Sequence, residues 1–266
     1  MIDGLARETR RAWLQGVAEP FPVFLDDAPG PIGVVLCPPF GWEEMCSYRP
    51  RREWARAFAA EGVPAVRLDL PGQGEAGGGP QSPGRLAAWT DAIGLTATWL
   101  LEQSGCHRVV AVGMSLGGLL ALLAAADGAP VDDFVLWGLP ASGRGFTREL
   151  RAFGRMEANT VKPDDPSLVA QLLPEGAIAA GGYMLSAQTR QDLEALGDNA
   201  PALRHPDARA ALLLERDGTA PPENIVEGLR AQGIEVEVAA GRGYGRMLVE
   251  PQFARLPADV AARTLA

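Results

Sequence analysis

The chain has 266 residues, 47% hydrophobic and 21% charged, which suits one α/β domain with or without an insertion and is enough to bury a core without a metal or disulfide staple. The net charge of −9, with no basic run longer than Arg51-Arg52, argues against a nucleic-acid partner and against docking on anionic membranes. The first ten residues mix acids and bases around no apolar stretch, so no secretory leader is expected; residues 116–126, the longest apolar run, are too few to span a bilayer.

Three cysteines, Cys37, Cys46 and Cys106, lack metal-ligand spacing and leave an odd thiol, which points to a reducing compartment, the cytoplasm by default. No metal and no cofactor is expected.

Short apolar runs alternate with longer helical patterns, the sign of a mostly parallel, doubly wound α/β sheet covered by helices. Strands are predicted over 21–25, 33–37, 64–68, 108–112, 133–137, 210–214 and 235–239, most of them unbroken apolar runs fit for burial on both faces. Helices are predicted over 49–61, where Trp54, Ala55, Phe58 and Ala59 share a face, over 85–102 with Trp89, Ile93, Ala97 and Leu100, and over 116–126. From 142 to 206 the alternation stops, and helical pieces at 147–158, 167–173 and 186–196 stand between Pro and Gly clusters. This segment reads as a helical cap (142–206) inserted into a core formed by 1–141 and 207–266, because loops at that sheet edge border a ligand crevice. Helices at 222–232 and 257–265 complete the alternation.

The sharpest chemical signal is Gly113-Met114-Ser115-Leu116-Gly117, between a predicted strand and a predicted helix. Flanking glycines permit a strained turn that exposes the serine hydroxyl at the carboxyl end of the sheet. Leu36-Cys37-Pro38-Pro39-Phe40-Gly41-Trp42-Glu43-Glu44 ends an earlier strand, and Asp69-Leu70-Pro71-Gly72-Gln73-Gly74 reads as a tight structural turn. Leu214-Glu215-Arg216-Asp217-Gly218 ends a late strand on acids, where the acid of a Ser, acid, His order belongs.

Through Pro38-Pro39-Phe40 with Glu43-Glu44-Met45, Asp69-Leu70-Pro71-Gly72, the Ser115 turn and Gly182-Tyr183-Met184-Leu185-Ser186, the chain resembles the α/β-hydrolase superfamily, and within it the serine-aminopeptidase-like branch that includes exosortase-A-associated hydrolases. The resemblance implies Ser115 as nucleophile, the Phe40 and Leu116 N–H groups as oxyanion hole, and Asp217 as triad acid. It also implies a histidine after the last strand, but residues 240–250 contain none. The two histidines, His107 and His205, each precede a strand; at about 3.3 Å per residue, His107 stands roughly 25 Å from Ser115.

Tyr244 is the nearest substitute by position, either as a phenol whose pKa the flanking Arg242 and Arg246 lower or, more simply, as an aromatic packing the loop. Glu43 and Glu44 read either as desolvated carboxylates able to act as a base through water or as helix-capping, solvent-facing groups. Glu44, Arg144 and Arg148 are candidate substrate contacts, the arginines for a carboxylate or phosphate, with pairing to Glu149 as the plainer alternative.

Two functions fit. One is a serine hydrolase or acyltransferase with a degenerate triad, acting on a small-molecule ester, thioester or amide. The other is a non-hydrolytic protein that keeps the fold to bind a small molecule or a partner protein.

Overall fold

A computed structural model describes residues 8–160, 173–203 and 209–265, with only the backbone of Asn159 and Thr160. Eight strands form one sheet in the order β1-β2-β4-β3-β5-β6-β9-β10. They are β1 (Arg10–Gln15), β2 (Pro20–Asp26), β3 (Ile32–Cys37), β4 (Ala65–Leu68), β5 (Arg108–Met114), β6 (Asp133–Trp137), β9 (Ala210–Leu214) and β10 (Glu235–Ala239). β1 and β2, and β2 and β4, pair antiparallel; the pairs from β4 to β10 are parallel. The predicted α/β class and all seven predicted strands are present.

Helices cover both faces because central strands alternate apolar side chains to either side. On β5, Val109 and Ala111 join the core under α2 (Arg85–Ser104) and α3 (Leu116–Ala126). Val112 and Met114 point the other way, toward Trp54 and Phe58 of α1 (Trp42–Ala60) and Val260 of the last helix.

The structure differs from the sequence expectations at an edge strand, at the start of one helix and at a hairpin. β1 was not expected; its exposed and half-buried residues form an antiparallel edge, which leaves no apolar run to read. α1 begins seven residues before the predicted start and runs through Pro50, a residue that ordinarily interrupts a helix. Its first turn is instead tied down by tertiary contacts, with the Trp42 indole donating to the Leu248 carbonyl at 2.7 Å. Within the predicted helical insertion, β7 (Ile178–Ala180) and β8 (Tyr183–Leu185) form an antiparallel hairpin around Gly181 and Gly182, both at positive φ. Among the described residues the insertion's helices are α4 (Gly143–Thr160) and α5 (Ala187–Glu194); most of the helix predicted at 167–173 lies outside the described residues. The chain ends through α6 (Glu223–Arg230), α7 (Tyr244–Met247), a 3-10 turn at Pro251–Phe253 and α8 (Ala258–Leu265).

Among the described residues no helix is long and apolar enough to cross a membrane.

Trp54 ties the α1 face together: it is fully buried, stacks on Phe58, meets Trp137 edge-on and donates to the Thr264 hydroxyl at 2.9 Å. Trp54→Ala is expected to lower the unfolding free energy by about 3–5 kcal/mol in urea denaturation, the range for deleting a buried aromatic.

Candidate active site

The turn after β5 is a strand-to-helix elbow. Ser115 takes φ 47° and ψ −122°, a backbone that non-glycine residues seldom adopt, and caps α3. A Cβ at Gly113 would lie 2.4 Å from the Gly118 Cα, and one at Gly117 2.4 Å from the Cys37 carbonyl oxygen, so neither position tolerates a side chain. The Ser115 N–H donates to the Trp137 carbonyl at 3.0 Å and the Gly118 N–H to the Ser115 carbonyl at 3.0 Å. The close approach at Gly117 also sets the elbow against the Cys37-Pro38 backbone, which brings the following loop to the serine.

That loop carries Phe40, which packs against Trp89, Phe146 and Tyr183, and turns at Gly41 (φ 67°) into α1. The first turn of α1 then places Trp42 and Glu43 in a cavity of about 190 Å³ with Ser115. From the other side α4 contributes Phe146, Glu149, Leu150 and Phe153, one helical stripe, and the β9 edge contributes Arg216.

Tyr244 is fully buried at the start of α7. Its ring meets Trp137 edge-on at 4.9 Å and packs against Gly138, where a Cβ would come within 2.8 Å of it. Its hydroxyl donates to Glu43 Oε1 at 3.0 Å. The Ser115 hydroxyl stands beside both groups, near enough to favour their charged forms, while only the Tyr244 to Glu43 contact has full hydrogen-bond geometry. Burial pushes the Glu43 carboxyl above its ordinary pKa, against the opposing pull of Ser115, Arg216 and Tyr244. Burial, reinforced by the neighbouring Glu43 charge, also drives the Tyr244 phenol well above its ordinary value.

A phenol raised in this way is disfavoured as a base at neutral pH, and the arginines expected to lower its pKa do not face it. Arg242 and Arg246 are exposed and line a separate outer cleft. The cation that does face the ring is Arg216, with Cζ 4.9 Å from its centre, and its pull is outweighed.

Asp217, at φ 52°, accepts the N–H groups of Gly243, Tyr244 and Gly245 at 2.5, 3.2 and 2.7 Å. Burial raises its pKa, but the three backbone donors together hold it below the usual carboxylate range. The acid therefore anchors the loop in which the superfamily carries its histidine.

Other expected contacts lie elsewhere. Glu44 forms an ion pair with the buried Arg51 along α1 and does not line the Ser115 cavity; Glu43, one residue earlier, does. Arg144 donates to the Glu194 carbonyl at 2.9 Å, and Arg148 is exposed. Both sit off the stripe of 146, 149, 150 and 153 that faces the cavity. His107 is exposed and precedes β5, at the end of the strand opposite Ser115, and His205 lies outside the described residues. Arg216 and Glu149, paired at 2.8 Å, were missed as site residues, although Arg216 adjoins Asp217 and the α4 stripe is legible as a helical period.

A model of the alpha/beta hydrolase family matches residues 34–258. The chain belongs to this family. Among solved structures this alpha/beta hydrolase is similar to DcsB in complex with its substrate analogue (16% identity, 97% of each chain covered, TM-score 0.62). It is also similar to an esterase of Pyrococcus furiosus (14%, 97% of this chain and 90% of that one, 0.61) and to the bottromycin epimerase BotH in complex with bottromycin A2 (20%, 97% and 98%, 0.59). No curated protein matches the sequence.

Asp217→Ala is expected to speed hydrogen exchange at the Gly243, Tyr244 and Gly245 amides and to lower stability by about 1 kcal/mol, as for loss of a helix cap. Unchanged exchange at these amides would show that the carboxylate does not hold the loop.

Proposed function

We propose that this alpha/beta hydrolase cleaves or transfers the acyl group of a small-molecule ester, thioester or amide, with Ser115 as nucleophile and Glu43 as the base in place of imidazole. The observation that carries this reading is the half-buried Glu43 carboxyl beside the Ser115 hydroxyl, with a pKa shifted upward and Tyr244 donating to it. A base needs a pKa nearer the working pH than an ordinary carboxylate has, and apo hydrogen bonds to nucleophiles tighten when substrate binds.

Ser115 Oγ forms a bond to the carbonyl carbon as its proton passes to Glu43. The oxyanion is received by the Phe40 and Leu116 N–H groups, donors fixed before the reaction begins. Collapse expels the leaving group, which takes the proton back from Glu43. Water, or an acceptor alcohol or amine, then gives its proton to Glu43 as it attacks the acyl-serine, and collapse of this second intermediate breaks the bond to Ser115 Oγ, which takes the proton back from Glu43 as the product leaves. Tyr244 stays protonated throughout and orients the carboxylate, α4 serves as part of a cap, and its aromatic and aliphatic side chains accommodate an apolar acyl group.

The engagement of Asp217 by backbone donors, with no imidazole to orient, favours a second reading, that the chain binds a small molecule without hydrolysing it.

Turnover of small activated esters decides between them. Under the hydrolytic reading Ser115→Ala abolishes it and Glu43→Gln lowers kcat/KM by about a hundredfold, within the range for a positioned base. Turnover indifferent to both substitutions supports the binding reading.

The pH dependence follows from the same group. The carboxylate is the active form and its pKa is raised, so kcat/KM falls as pH drops through a value above the ordinary carboxylate range. Tyr244→Phe removes a donor that favours the carboxylate, so its acid limb is expected at higher pH than in the wild type.

A further inference from the structure

A second cavity, of about 250 Å³, opens on the other side of Phe40 and does not include Ser115. Two segments that the chemistry at Ser115 leaves unused build it: the turn containing Gly72 and Gln73, and the β8 residues beginning at Tyr183. Trp89 and Arg85, from α2, complete the wall.

Arg85 is 1% exposed. Its Nη2 meets both Glu19 carboxylate oxygens at 2.6 Å, which fixes the guanidinium and balances its charge. Among the described residues its Nε and Nη1 have no hydrogen-bond partner, and neither has Nε2 of Gln73. Nη1 lies against the lining residue Gly72, 3.1 Å from where a Cβ would stand, so a side chain there would press on this donor. A buried donor without an acceptor costs about 1–3 kcal/mol, and here such donors border an aromatic-walled cavity.

We propose that this cavity is a binding site, separate from the Ser115 centre, for a fragment-sized apolar monocarboxylate. Its carboxylate accepts from Arg85 and Gln73, and its apolar part lies among Phe40, Trp89 and Tyr183. Glu19 already neutralises the guanidinium, so a single negative charge suits the site better than a phosphate dianion. The volume lies below that of drug-sized pockets, which limits the ligand to a fragment. The site does not depend on the reaction proposed at Ser115.

Titration calorimetry with phenylacetate tests it. Phenylacetate is expected to bind saturably to the wild type and equally to Ser115→Ala, and at least tenfold more weakly to Gln73→Leu and Arg85→Lys. Gln73→Leu leaves the Arg85 to Glu19 pair intact, so it decides the matter if Arg85→Lys does not fold. The proposal is overturned by an absence of saturable binding, by equal affinity for the neutral analogue 2-phenylethanol, or by undiminished binding to Gln73→Leu. A crystal of the phenylacetate complex should show the carboxylate against Arg85; density in the Ser115 cavity alone would also overturn it.

Discussion

Ser115 is held at a positive φ because the chain has no room for a side chain at Gly113 or Gly117. Such a backbone conformation costs on the order of 1–3 kcal/mol and persists only where its surroundings over-determine it. Here they are the β5–β6 ladder, through the Ser115 N–H on the Trp137 carbonyl, and the close contact of Gly117 with the Cys37-Pro38 backbone. That contact fixes where the next loop runs. It thereby fixes Phe40 between two cavities and starts α1 where Glu43 reaches the serine.

The chemistry proposed for the site follows from the groups that the chain places beside Ser115. A buried phenol next to a half-buried carboxyl settles its proton on the oxygen that holds it more tightly, and Tyr244, with its pKa driven well above its ordinary value, keeps it. Glu43, whose pKa burial raises above its ordinary value, is left as the group proposed to take the serine proton. Asp217 has a depressed pKa and three backbone donors, which suits holding a loop in place. Arg216 spans the two halves of the cavity, pairing with Glu149 of α4 at 2.8 Å while its guanidinium faces the Tyr244 ring.

The fold was legible because buried parallel strands are apolar runs and the Gly-Met-Ser-Leu-Gly elbow has few structural alternatives between a strand and a helix. The edge strand β1 and the hairpin Ile178–Ala180 with Tyr183–Leu185 were not, since half-exposed and three-residue strands carry no distinct period. At the site, Ser115 and the loop bearing Phe40 were visible as motifs. The division of labour between Glu43 and Glu44 was not. Adjacent residues on a helix point about 100° apart, and only the register of α1, set partly by the Trp42 bond to Leu248, decides which one meets the cavity and which meets Arg51. Arg85 was hidden for a similar reason: its partner Glu19 lies far off in sequence.

The most direct measurement of the central claim is the rate at which a fluorophosphonate modifies Ser115, followed by intact-protein mass spectrometry across the acid and neutral pH range. If Glu43 takes the serine proton, labelling is confined to Ser115, is slower than in hydrolases with a complete Ser-His-Asp triad, and declines at acid pH in step with protonation of the Glu43 carboxyl, seen as its C=O stretching band in the infrared. Labelling that is insensitive to pH through that carboxyl's titration, or that proceeds as fast as with a complete triad, would contradict the account.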